Sequence, residues 1–162
     1  MSETRSGDRD EGAHGNGERP DFALDREARS FRYYRAEVER HWDPGEIDLG
    51  EDRRALLDAA TEAAASETIA FLDGLRGAVA RFGAGEQSVT EDLAPLAVAM
   101  DDIEDQTFLT AQMYEEARHM DFFDRYWREV FHPVEDELGL DRSAPTDPEW
   151  FDPDPSYPVH PM

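Results

Sequence analysis

A chain of 162 residues is long enough for one domain with a real core, and its 39 acidic against 16 basic residues give a formal net charge of -23. Every basic residue is Arg and none is Lys; together with a pI near 4.3 this is the composition of a protein kept soluble and compact by concentrated salt, so a halophilic cytoplasm is the expected setting. The charge excludes nucleic acid and anionic lipid as partners, and the absence of Cys excludes disulfides, thiolate catalysis, zinc ribbons and iron–sulfur clusters, leaving any metal to oxygen and imidazole ligands.

Residues 1–24 are rich in Gly, Asp, Glu, Arg and Ser, have little to bury, and read as a disordered acidic leader. No apolar run approaches the roughly 20 residues of a membrane span, so no membrane association is expected. From residue 25 to 42 the spacing of Phe31, Tyr34, Val38 and Trp42 predicts a first helix, ended by Asp43-Pro44-Gly45. Ile47 and Leu49 fit a short connector. Residues 51 to 82 are helix-prone, with Ser66 and Glu67 offering a restart; the sequence leaves open whether they form one helix or two.

Leu72, Leu75, Val79, Phe82, Glu86, Val89, Leu93, Leu96 and Met100 alternate spacings of three and four, the inward seam of a long helix in a bundle. Glu86 is its single polar member. Gly83, Gly85 and Pro95 suggest a bend or a close helix approach near the middle. After the acidic turn 101–105 a second helix carries the seam Leu109, Met113, Glu116, Met120, Phe123, Trp127 and Val130, again with one polar member, Glu116. His132-Pro133 begins its end and Gly139 closes the ordered chain, so the helical domain is expected over 25–140. Residues 141–162, with six prolines after Ala144, read as an acidic, disordered tail.

Glu86 and Glu116 each lie fifteen residues from a turn centred near residue 101. At 1.5 Å per residue both carboxylates stand about 22 Å from that turn, level on facing seams. His119, three residues beyond Glu116, projects from the same face. An isolated Glu-x-x-His in so acidic a chain reads as solvated charge. Here the two carboxylates are the sole ionisable breaks in two apolar stripes at matching heights, and two desolvated carboxylates that meet call for a cation. Glu86, Glu116 and His119 are therefore the candidate metal ligands, a mixed carboxylate and imidazole set suited to iron or manganese. Glu115, about 100° round the helix, is expected to be exposed. Tyr33, Tyr34, Tyr114 and Tyr126 read as packing aromatics, Trp127 as core, and His41 and His132 as partners of helix-end carbonyls.

Gly85-Glu86-Gln87-Ser88-Val89-Thr90, Phe108-Leu109-Thr110, Glu115-Glu116-Ala117-Arg118-His119 and Phe122-Phe123, with Trp42-Asp43-Pro44 and Ile47-Asp48, resemble the first metal-binding half of the ribonucleotide reductase small subunit family, most closely its ligand-binding oxidases. The resemblance runs from about residue 28 to 140. It implies an all-α, ferritin-like helical hairpin, half of a four-helix bundle, with a dinuclear centre of iron and/or manganese that activates dioxygen. Classical small subunits carry a radical tyrosine four residues after the ligand His; Phe123 stands there, so no such radical is expected. Val89 matches the valine that the oxidase branch crosslinks to a tyrosine of its second half, and is the candidate crosslink position.

The second Glu and second Glu-x-x-His of that family do not follow Val134 in this sequence. The resemblance therefore implies a truncated or split oxidoreductase completed by a separately encoded second half. Two alternatives stand beside it: a homodimeric ferritin-like ferroxidase or metal-storage module, and a non-enzymatic helical interaction protein.

Overall fold

The computed structural model describes residues 23–62 and 65–147, without the side chains of 65 and 66; the expected leader up to residue 22 and the tail from 148 lie outside the described residues. Among the described residues the regular structure is entirely helical. Helix α1 spans Arg29–Glu39, α2 Gly50–Glu62, α3 Ala65–Ala99, α4 Ile103–Tyr126 and α5 His132–Leu138. None is long and apolar enough to cross a membrane.

The connector after α1 follows its turn chemistry. Asp43 accepts a hydrogen bond from the Gly45 amide (2.7 Å), Pro44 opens a short 3-10 turn, and Asp48 accepts from the Gly50 amide (2.9 Å) to start α2. Helices α2 and α3 are separate elements, tied by the Thr68 hydroxyl donating to the Ala60 carbonyl at 2.7 Å. Pro95 is carried within α3. Gly83 provides the close approach, since a Cβ there would lie 3.7 Å from Phe123 Cβ.

Helices α3 and α4 form an antiparallel hairpin around the turn at residues 100–102, and α1 packs along α4. The α3 seam resolves into two stripes, each repeating every seven residues. Leu72, Val79, Glu86, Leu93 and Met100 are buried or half-buried. In the stripe Leu75, Phe82, Val89 and Leu96 only Leu75 is half-buried; the others are 64, 41 and 42% exposed. Because α1 lies on α4, it does not cover that stripe.

The expected end of α4 at His132-Pro133 is corrected. The helix runs on through a π turn, Trp127–Phe131, into α5, with Pro133 in the first turn of α5. Gly139, at φ 68°, caps α5 in the left-handed region. The core gathers at this end: Leu49, Leu56, Leu72, Ala80, Trp127, Val130, Phe131 and Val134 form one buried cluster. Within it Arg76 pairs with Glu135 at 2.7 Å, both nearly inaccessible. The expectation that Gly139 closes the ordered chain is corrected: the residues after it pack back, with the Ser143 amide and hydroxyl donating to Glu135, and the Ser143 carbonyl accepting from Trp127 Nε1 (3.0 Å) and contacting His132 Nε2 (3.0 Å).

Candidate metal centre

The hairpin brings Glu86 of α3 together with Glu116 and His119 of α4, and one donor atom from each lies within 4.8 Å of the others. The helical periodicities produce this: equal distances from the turn set the two carboxylates level, and three residues along α4 stack His119 beside Glu116. His119 Nδ1 faces Glu86 Oε2 at 3.5 Å and Glu116 Oε2 at 3.3 Å. Burial, and then the neighbouring Glu86 carboxylate, push the Glu116 carboxyl above its ordinary pKa, opposed by the His119 imidazole. Between Arg81 and Arg118 the sequence holds no Arg or Lys, so no side-chain cation of this stretch neutralises the pair. A divalent ion among the three donors would do so. The donor set therefore fits a divalent transition metal, which Glu86, Glu116 and His119 would hold.

The imidazole is positioned from its other side. Trp42 stacks against His119, ring centroids 5.7 Å apart, and Phe122 meets Trp42 edge-on at 6.5 Å. Trp42 is held in turn by α4. Its Nε1 donates to Glu115 Oε2 at 3.4 Å, its carbonyl accepts from Arg118 at 2.8 Å, and the Arg118 guanidinium lies 5.2 Å over its ring. Glu115 and Arg118 form an ion pair, and Arg118 also reaches His41 Nδ1 at 3.1 Å.

The expectation that Glu115 is exposed is thus overturned: it is 8% exposed. Helix α4 buries two faces, one against α3 and one under α1 and the Trp42 segment, and Glu115 lies on the second. The available signal was Glu115-x-x-Arg118, an oppositely charged i, i+3 pair in register with the ligand pair. His41 likewise serves Arg118 and stacks on Tyr114, and His132 faces Ser143, so neither imidazole has the helix-end role expected of it. Tyr33 and Tyr114 are largely exposed, while Tyr126 packs against Phe122 and Phe131.

Val89 is exposed one turn beyond Glu86, and Phe123 lies one turn beyond His119, stacked on Phe82 at 6.0 Å. A groove of about 520 Å³ between α1 and α4 is lined by His41, Tyr114, Glu115 and Arg118; it lies on the Trp42 clamp's side of α4, not against Glu86, Glu116 and His119. No protein-family model matches this chain, and no solved structure matches it.

Proposed function

We propose that this chain supplies one half of a dinuclear-metal oxidoreductase centre of the ferritin-like carboxylate type, with Glu86, Glu116 and His119 holding iron or manganese. The observation that carries the reading is the convergence of three donors within 4.8 Å, drawn from two helices, with Glu86 and Glu116 the sole polar positions of two apolar seams and His119 one turn from Glu116. When bound, such an ion supplies redox chemistry with dioxygen. The chain's own residues do the rest. Glu86 and Glu116 provide the negative charge, His119 presents Nδ1, and Trp42 fixes the imidazole plane and keeps water from one of its faces.

Three protein donors with water can hold one ion but not a pair of metals, so a dinuclear centre needs a second set of ligands. The exposed α3 stripe beside Glu86 also favours the ferroxidase or storage reading, in which a like chain completes the site. Metal analysis of protein purified in concentrated salt tests the ligand set. Glu116→Ala is expected to abolish most binding, while Glu115→Ala, which loosens only the Trp42 clamp, retains most of it. Equal losses from the two would defeat the assignment. Dioxygen uptake on addition of Fe(II) would separate an oxidase half-site from a non-enzymatic helical interaction protein.

A further inference from the structure

We propose that the exposed α3 stripe is the contact surface for a second copy of this chain, packed about a twofold axis beside Glu86 so that two sets of Glu86, Glu116 and His119 form one centre for two divalent ions. The inference rests on the three-ligand reading above. Phe82 precedes Glu86 by four residues and Val89 follows it by three, so they bracket the carboxylate on one helix surface. Whatever covers Phe82, Val89 and Leu96 therefore also closes over Glu86.

A stripe that repeats every seven residues is the surface on which a helix with the same repeat packs, and α3 is itself such a helix. A twofold axis sets the stripe against itself, making the interface isologous. The number of donors points the same way, while the charge stays balanced as it would be in one chain. Two copies bring four carboxylates and two imidazoles, and two divalent cations neutralise the four carboxylates while each gains a donor set larger than one chain offers.

The flanks oppose this pairing. Glu91 and Asp92 border the stripe, and from residue 82 to 117 the sequence has no Arg or Lys to offset them. Association should therefore need both the metal, which removes charge at the centre, and salt, which screens the flanks.

The test uses the full chain in concentrated salt with Mn(II) alone as the probe, read by sedimentation equilibrium and metal analysis. Without Mn(II) the mass should be near the 18.4 kDa of one copy. With Mn(II) it should double and carry one ion per chain. Phe82→Arg and Leu96→Arg should keep their helix content, stay single copies, and bind Mn(II) at least about ten-fold more weakly. The wild-type masses decide the matter even if one variant fails to fold. A wild-type chain that binds Mn(II) as a single copy, or a dimer indifferent to both substitutions, overturns the second copy and leaves the three-ligand reading intact. So would a mass that doubles only with a separately encoded protein. Wild-type protein that binds no Mn(II) at any salt concentration defeats the ligand reading, and the inference with it.

Discussion

The two ends of the hairpin are built from the same helices and the same kinds of residue, yet only one end is closed. Along the seam, Leu72, Val130, Phe131 and Val134 at the α2–α5 end are 0% exposed, whereas toward the α3–α4 turn Phe82 and Leu96 are 64 and 42% exposed. Helix propensity and amphipathic spacing are alike at both ends, so the difference lies in what the rest of the chain brings to each. The closed end receives α2, the π turn, α5 and the residues up to 147, whereas the open end receives α1 alone, and on α4. The three candidate ligands sit where closure gives way to exposure. A seam is thus only an offer of burial; it becomes core where another element takes it up.

The largest effect that would sharpen this contrast is Arg76→Met at the closed end. It leaves Glu135 buried without its cation and should cost about 3–5 kcal/mol, measured by denaturant unfolding in concentrated salt. Adding Glu135→Gln should recover much of that loss. Leu72→Ala should follow at about 3 kcal/mol, through lost burial and the cavity left behind. Phe82→Ala, at the open end, should cost under about 1 kcal/mol in a single copy, because most of that ring already meets water. A Phe82→Ala loss equal to that of Leu72→Ala would erase the distinction between the ends.

The smallest effect concerns pH. With its pKa raised, Glu116 holds a proton more tightly in the folded metal-free protein than in the unfolded chain. Its contribution to stability is therefore present at low pH and is lost as pH climbs from the ordinary carboxylate range through the raised value. Glu116→Gln should remove that decline, and pH-dependent unfolding of metal-free wild type and variant would measure it.

The hairpin and its level carboxylates were legible because helical rise and periodicity are local properties: Glu86, Glu116 and His119 needed only a turn near residue 101. What escaped was non-local. Glu115 looked outward on a one-face reading of α4, and only the return of Trp42 and α1 gives that helix a second buried face. The role of Ser143 depends on Glu135, Trp127 and His132 all turning the same way, which no spacing rule contains. The exposure of Phe82, Val89 and Leu96 is the reverse case, since the seam was visible in the sequence but its lack of a cover was not.

The π turn at Trp127–Phe131 makes the α4–α5 rod a helix with a phase error. One surplus residue in that turn rotates everything after it by about 100° relative to an uninterrupted α-helix. Glu135 owes its aim at Arg76 to this offset. Deleting a single residue from the turn would restore regular winding, and it would swing α5 about its own axis until a buried carboxylate faced a wall without its cation. The rod therefore tolerates exchange of side chains in that turn better than any change in their number.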